Sequence, residues 1–240
     1  MSGGNSLGRR AIAEAVGTFF LVLIGPGAAM VNAHSDGAVS HPGVALAFAF
    51  VITGMVYALG HISGAHLNPA VTLAFLSARR FPARDVLAYV GAQCAGATAA
   101  AFTLRWLLGG VGDYGATLPA IGVARGFVVE LLLSFALMLV IMAVATDKRV
   151  AEGFAGIAVG LTIGFCAMMG GPLTGASMNP ARSLGPAISG GIWEGHWIYW
   201  AAPILGMFIA AQLYEFLRPA GPEHVAPEAD LGPAGPIRTR

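Results

Sequence analysis

Charged residues are scarce in this chain of 240 residues. Asp, Glu, Lys and Arg together account for 10% of it, against roughly 25% in an ordinary soluble domain. A soluble protein of this size cannot cover its surface with so few charges, so the composition excludes a soluble enzyme and a disordered chain. The formal net charge of +1 leaves no electrostatic footprint for a nucleic acid or another acidic partner.

Cysteine is also scarce, with only Cys94 and Cys166 present, both in apolar stretches. Two such residues provide neither a disulfide framework nor a metal site. Apolar residues are abundant instead: they make up 56% of the chain, and the mean hydropathy is +0.73. The 34 glycines favour close packing between membrane helices.

Six apolar stretches are long enough to cross a bilayer as helices, which takes roughly 20 residues. They cover residues 11–33, 43–62, 84–108, 124–146, 154–171 and 196–217. Two shorter stretches, 69–78 and 180–189, each begin at an Asn-Pro-Ala motif. We expect these two to be half-helices that enter the membrane and end midway, facing protein or a water-filled cavity.

The basic residues predict the orientation of the chain in the membrane. Ten of the 13 Lys and Arg residues lie on one face of a six-span topology, and loops 34–42 and 109–123 of the other face have none. Both termini of this multi-pass protein of the cell membrane are therefore expected in the cytoplasm. The ten residues are Arg9, Arg10, Arg79, Arg80, Arg84, Lys148, Arg149, Arg218, Arg238 and Arg240.

The two halves of the chain repeat each other. Residues 13–21 read AEAVGTFFL and residues 129–137 read VELLLSFAL; residues 63–72 read SGAHLNPAVT and residues 174–183 read TGASMNPARS. Each unit holds three spans, so the second unit is inverted relative to the first. The sequence thus predicts an all-α membrane protein of six transmembrane helices plus two re-entrant half-helices, with 3+3 inverted spans, the architecture of transport proteins.

We place repeat one at about residues 9–108 and repeat two at about 124–217, within one membrane domain of residues 1–218. Residues 219–240 contain five prolines and three glycines. We expect this tail to be disordered and cytoplasmic.

Each Asn-Pro-Ala motif is suited to start a helix at the membrane midplane. Proline fits the first helical position, and asparagine is a favoured N-cap. Two helix N-termini that meet there, each with roughly half a positive elementary charge, oppose cations and tolerate neutral molecules. The preceding segments are expected to present carbonyl acceptors to a pore. The predicted motif residues are Asn68, Pro69, Ala70, Asn179, Pro180 and Ala181, and the carbonyls are those of Gly64, Ala65, His66, Thr174, Gly175 and Ala176.

Three charged side chains lie deep in the predicted membrane region, away from the ends of the spans. Arg182 follows the second motif and is expected to face a wet pore, because an unsolvated charge there is costly. Glu14 and Glu130 occupy equivalent places in the repeat. They are either proton-relay groups or, as their equivalence favours, acceptors for the unpaired N–H groups of the re-entrant loops.

Neither a metal nor a cofactor is expected. His61 and His66 could place two ligands on one helix face, but no third ligand is near and Gly64 interrupts the helix. Zinc sites need three or four ligands. The chain shows no paired catalytic groups and no cofactor fingerprint, so an enzyme is the weakest interpretation.

The motifs resemble those of the aquaporins, the major intrinsic protein family. Besides both Asn-Pro-Ala motifs, the resemblance includes AEAVGT at 13–18, GHISGAHL at 60–67, Gln93 and HWIYW at 196–200. It implies one pore per subunit, a lipid-embedded homotetramer, and a passive channel that admits water and excludes protons and ions. Small neutral solutes, such as glycerol, ammonia or dissolved gases, are further candidates for passage.

The resemblance also implies an outer constriction of four residues: Phe48, Ala167, Ala176 and Arg182. Ala167 departs from strict water channels, which usually have histidine there, and implies a wider filter. Ser183 and Tyr199-Trp200 instead resemble the water branch of the family.

Two alternatives stay open. One is a glycerol or small-solute facilitator. The other, from a different class, is an ion-coupled secondary transporter, which also uses inverted repeats and broken helices. A gated ion channel is weaker, because no ring of acidic side chains is evident.

Overall fold

The computed structural model describes residues 5–146 and 153–218. Every regular element in these two ranges is helical, which confirms the all-α prediction. Short 3-10 turns lie at Ala83–Asp85 and Val111–Gly115. The long helices are α1 (Leu7–His34), α2 (Ser40–Ser63), α4 (Val86–Leu108), α5 (Val123–Thr146), α6 (Ala155–Thr174) and α8 (Ile198–Leu217); the short ones are α3 (Pro69–Ser77) and α7 (Pro180–Gly190).

The six long helices are each long and apolar enough to cross a membrane, and they match the six predicted spans. Several helix ends differ from the prediction by up to four residues, among them the start of α1 and the end of α6. Helix α1 begins at Leu7 rather than at residue 11, because the Ser6 hydroxyl caps it by accepting a hydrogen bond of 3.4 Å from the Arg9 amide. Helix α6 continues through Pro172 to Thr174 instead of ending at residue 171.

The two halves pack in the same way, as an inverted repeat requires. Helix α1 lies against α2 and α4, and α5 lies against α6 and α8. The half-helices are exchanged between the halves: α3 packs mainly against α8, and α7 packs mainly against α4. This exchange brings the N-termini of α3 and α7 together in the centre of the molecule.

Two equivalent glycines allow close contacts between long helices. A Cβ atom on Gly96 of α4 would overlap the Ala15 carbonyl of α1, and one on Gly206 of α8 would overlap the Leu131 carbonyl of α5. In membranes, where no hydrophobic effect drives helices together, such close backbone contact is a main source of packing energy.

Parts of two predictions lie outside the described residues. These parts are the tail 219–240, with Arg238 and Arg240, and the loop residues Lys148 and Arg149. The orientation and the division into one membrane domain and a tail therefore stay predictions.

Candidate functional site

The first turns of the two half-helices are capped by the motif asparagines. The Asn68 side-chain oxygen accepts a hydrogen bond of 2.9 Å from the Ala70 amide. The Asn179 oxygen accepts bonds of 3.0 Å from the Ala181 amide and 3.3 Å from the Arg182 amide. A proline occupies the first helical position in each case, where its missing N–H has no cost.

The same two asparagines join the two halves. The Asn68 side-chain nitrogen donates a hydrogen bond of 2.7 Å to the Met178 carbonyl, and the Asn179 nitrogen donates one of 2.8 Å to the Leu67 carbonyl. Each carbonyl belongs to the residue that directly precedes the opposite asparagine. Because a carboxamide nitrogen has two hydrogens, each asparagine retains one further N–H donor.

The loops before the two motifs have a strained backbone. Ala65 and Leu67 in the first loop have φ values of 47° and 51°, and Ala176 and Met178 in the second have 43° and 51°. Non-glycine residues in the left-handed region cost of order 1–3 kcal/mol each and persist only where the surroundings enforce them. Something outside each loop must therefore hold its backbone.

Glu14 of α1 supports the first loop with both carboxylate oxygens. Oε1 accepts hydrogen bonds from the Ser63 hydroxyl at 2.7 Å and the His66 amide at 3.0 Å. Oε2 accepts from the Leu67 amide at 2.7 Å and the Gln93 side-chain nitrogen at 2.8 Å. The carboxylate is fully buried, so it accepts its hydrogen bonds from these protein groups rather than from solvent.

Glu130 of α5 supports the second loop in the same way. Its Oε1 accepts from the Thr174 hydroxyl at 2.7 Å and the Ser177 amide at 2.9 Å, and its Oε2 accepts from the Met178 amide at 2.8 Å. It too is fully buried. Of the two interpretations that the sequence left open, this geometry is that of a loop support.

The polar contacts beneath the loops differ between the halves. In the first half, the Gln93 side-chain nitrogen donates a hydrogen bond of 3.1 Å to the Thr72 hydroxyl. The same hydroxyl lies 3.1 Å from the His66 ring nitrogen Nδ1. In the second half, hydroxyls replace these groups. They form a chain of Thr117, Ser183 and Ser177, with O–O distances of 2.8 and 2.5 Å.

A cavity of about 550 Å³ runs along the central interface. Its lining includes Tyr57, His61 and Gly153, both motif asparagines, and the pair Phe48 and Arg182. Most of the other walls are aliphatic, including Leu21, Ile52, Val71, Leu137, Ile141 and Val159. The polar groups are thus concentrated at a few points of an apolar passage.

Three of the four predicted filter residues line this cavity: Phe48, Ala176 and Arg182. The Arg182 guanidinium carbon lies 5.4 Å from the centroid of the Phe48 ring, and its Nη1 donates a hydrogen bond of 2.9 Å to the Gly115 carbonyl. Ala167 is buried and is not among the described residues that line the cavity, so its place in the filter stays a prediction.

The predicted carbonyl set is found only in part along this cavity. Gly64, Ala65, His66 and Ala176 line the cavity, but Thr174 and Gly175 are not among its described lining residues. The Thr174 carbonyl accepts a hydrogen bond of 2.8 Å from the Tyr199 hydroxyl instead.

Sequence reasoning missed the contribution of the loop between α4 and α5. Gly115 holds Arg182, and Thr117 holds Ser183, although this loop lies far from both in the sequence. The contacts of two equivalent tyrosines were missed as well. The Tyr89 hydroxyl donates a hydrogen bond of 2.7 Å to the Ser63 carbonyl, and the Tyr199 hydroxyl donates one of 2.8 Å to the Thr174 carbonyl. The only available signal was the matching position of Tyr89 and Tyr199 in the two repeats.

Comparisons with known proteins agree with this geometry. Aquaporin NIP1-1 of Oryza sativa subsp. japonica and nodulin-26 of Glycine max are each 48% identical to the chain over 211 residues. These matches cover 88% of the chain and 74% and 78% of the two relatives. The X-ray structure of the aquaglyceroporin from Plasmodium falciparum matches with a TM-score of 0.80 at 27% identity, over 88% of this chain and 97% of that one.

Six membrane-length helices around two half-helices that meet at a cavity define a membrane channel for water and small solutes. The family model described as "Major intrinsic protein" matches residues 4–214. The chain belongs to this family.

Proposed function

We propose that each subunit conducts water and small neutral solutes of glycerol size through the central cavity, and that it excludes protons and ions. The observation behind this proposal is the lining of the cavity, which includes both motif asparagines and the pair formed by Phe48 and Arg182. A molecule that crosses therefore has to pass two helix N-termini and one guanidinium.

The exclusion of cations follows from the charges along this route. Two helix N-termini meet at Asn68 and Asn179, and each has roughly half a positive elementary charge. Arg182 adds a full positive charge on the same cavity. A hydronium ion is repelled by all three, whereas water or a polyol is not.

The motif asparagines and Arg182 also supply the donors for a neutral permeant. Each asparagine amide retains one N–H after its bond to the opposite loop, and the Arg182 guanidinium has five N–H donors in total, of which one group binds Gly115. The proposed acceptors are the carbonyls of Gly64, Ala65, His66 and Ala176, four residues that line the same cavity. Water and polyols can donate to and accept from such groups.

The absence of long side chains at two filter positions favours passage of solutes larger than water. Ala176 has only a methyl group to place in the cavity that it lines, and Ala167 is not among the described lining residues. The aliphatic walls suit the carbon backbone of glycerol. A glycerol-type facilitator is thus the second candidate within the channel class, and it differs from the first only in how much of the flux is solute.

An ion-coupled transporter is not supported by the same geometry. It would need Glu14 or Glu130 to bind and release protons along the route. Both carboxylates are fully buried and engaged by loop amides, and neither is among the described residues that line the cavity.

We further propose a homotetramer in the cell membrane, with both termini in the cytoplasm. The family resemblance supports the tetramer, and the distribution of Lys and Arg supports the orientation. Large apolar side chains point outward from the long helices, for example Phe50, Leu161 and Phe216, which are 67%, 62% and 83% exposed in the single chain. They are available to lipid and to neighbouring subunits.

The test is stopped-flow light scattering on liposomes that contain the purified protein, with protein-free liposomes as the control. Vesicles are challenged separately with sucrose and with glycerol. Fast shrinkage in sucrose together with fast reswelling in glycerol supports a channel for both. Fast shrinkage without faster reswelling means a water-selective channel, and no acceleration over protein-free vesicles contradicts the proposal.

A further inference from the structure

The aromatic wall of the filter rests directly on a glycine of α1. A Cβ atom placed on Gly25 would lie 2.5 Å from Cδ1 and 2.6 Å from Cζ of the Phe48 ring, and it would overlap Cε1. Real Cβ atoms essentially never approach other heavy atoms so closely. The Phe48 ring thus occupies the space that any side chain at position 25 would fill.

The same ring also lies beside the guanidinium of the filter. The Arg182 Cζ atom lies 5.4 Å from the Phe48 ring centroid, and Phe48 is only 8% exposed. Because both side chains line the cavity, a shift of the ring changes the gap between the ring and Arg182.

Helix α1 also supports the arginine, through the residue after Gly25. The carbonyl that holds Arg182 belongs to Gly115, which packs against Pro26. A Cβ atom on Gly115 would lie 2.8 Å from the Pro26 Cβ, and the φ of Gly115 is +71°. Gly115 is therefore needed both for its backbone conformation and for its contact with α1.

We propose that Gly25 is a specificity-determining residue, which sets the distance between Phe48 and Arg182 and thereby the largest solute that passes. This inference rests on the proposed channel function. Gly25 acts through the Phe48 ring, as a positioning residue. One added methyl group moves the ring by overlap, and a narrower gap hinders glycerol more than water.

The experiment compares Gly25→Ala with Gly27→Ala in the same proteoliposome assay. Gly27 lies two positions further on α1, but its Cβ would meet only the flexible end of Leu104, at 3.0 and 3.8 Å. Both changes put alanine into a helix, where it is favoured, so they differ in what the added methyl group meets: the Phe48 ring in one variant and the end of Leu104 in the other. We expect Gly25→Ala to lower glycerol permeability about tenfold, equal to about 1.4 kcal/mol of barrier, and water permeability by a smaller factor. We expect Gly27→Ala to leave the ratio of glycerol permeability to water permeability unchanged.

A second variant separates the effect on the filter from an effect on folding. Combining Gly25→Ala with Phe48→Ala removes the ring, including every atom that the new methyl group would overlap. This double variant must reconstitute and conduct glycerol at least as well as the wild-type protein, even where Gly25→Ala alone does not fold. A double variant that fails to fold would overturn the inference, because the overlap would then not be with Phe48.

The wild-type measurement separates the role of Gly25 from the channel function itself. An unchanged glycerol-to-water ratio in Gly25→Ala, in vesicles where the wild-type protein conducts both, overturns the role of Gly25 alone. Wild-type vesicles that conduct neither overturn the channel function and the inference together.

Discussion

The imidazole Nε2 of His41 lies 2.8 Å from the backbone carbonyl of Met168. Because a carbonyl can only accept, the ring nitrogen is the donor. The amide that would pair with this carbonyl in a regular helix belongs to position 172, and that residue is proline, which has no N–H. His41 at the start of α2 thus replaces a missing bond of α6, next to Ala167.

This pairing predicts a loss of stability when His41 is replaced. His41→Phe keeps an aromatic ring but removes the hydrogen bond to the exposed Met168 carbonyl, and a typical hydrogen bond contributes about 0.5–1.5 kcal/mol to stability. Thermal unfolding in detergent measures the effect. In a Pro172→Ala background the new amide can pair with Met168, so the same His41→Phe change should cost much less. Equal costs in the two backgrounds would contradict this account.

Replacing Ala167 by histidine should make the channel more selective for water. A histidine ring from this position reaches further than the methyl group and adds a polar group opposite Phe48, so we expect glycerol permeability to fall more than water permeability. Stopped-flow reswelling in glycerol measures the glycerol permeability. Ala167→Gly is the matched control, because it changes the same position without adding a longer side chain. A glycerol flux that does not fall in Ala167→His would refute the placement of Ala167 beside the filter.

Removal of the filter charge should weaken the exclusion of cations. Arg182→Val eliminates the positive charge on the cavity, and we expect a larger proton leak, measured with a pH-sensitive dye trapped in the vesicles. Arg125→Val is the control, because Arg125 is an exposed arginine that is not among the described lining residues of the cavity. A proton leak that is the same in both variants would count against Arg182 as a barrier.

Glu14→Gln distinguishes a loop support from a proton relay. The amide nitrogen of glutamine cannot accept hydrogen bonds, so at least one of the His66 and Leu67 amides loses its acceptor. Hydrogen bonds to charged groups contribute about 1.5–3 kcal/mol each, and we expect a clear drop in thermal stability and in the yield of folded protein.

The flux through the remaining folded Glu14→Gln channels should stay non-saturating and independent of a pH gradient, as in the wild-type protein. Quantitative blotting gives the number of channels in the vesicles, and the flux is divided by this number. A wild-type flux that saturates and follows the pH gradient, and that Glu14→Gln abolishes, would instead favour a coupled transporter.

Much of the architecture could be predicted because its signals are local in the sequence. The length of an apolar stretch decides whether a helix can cross the bilayer, and an Asn-Pro pair specifies where a helix begins. Helix α3 accordingly starts at Pro69 and α7 at Pro180. The repeated motifs predicted the inversion, since three spans in each unit leave no other orientation.

The sequence alone also determined that Glu14 and Glu130 hold equivalent positions, because the two motifs around them match. It could not determine what they bind. The amides of Leu67 and Met178 reach these carboxylates only because the left-handed loop residues aim them there, and those backbone angles depend on the packing of both halves.

The surroundings of the filter were decided by tertiary structure alone. Gly115 holds Arg182, Gly25 supports Phe48, and His41 pairs with Met168, although each pair is separated by more than twenty residues of sequence. No periodicity or motif encodes such contacts, because they arise only when helices pack at particular distances and rotations. The sequence thus determined which elements form and where they begin, and the packing of α1, α2 and α6 decided the geometry through which a solute has to pass.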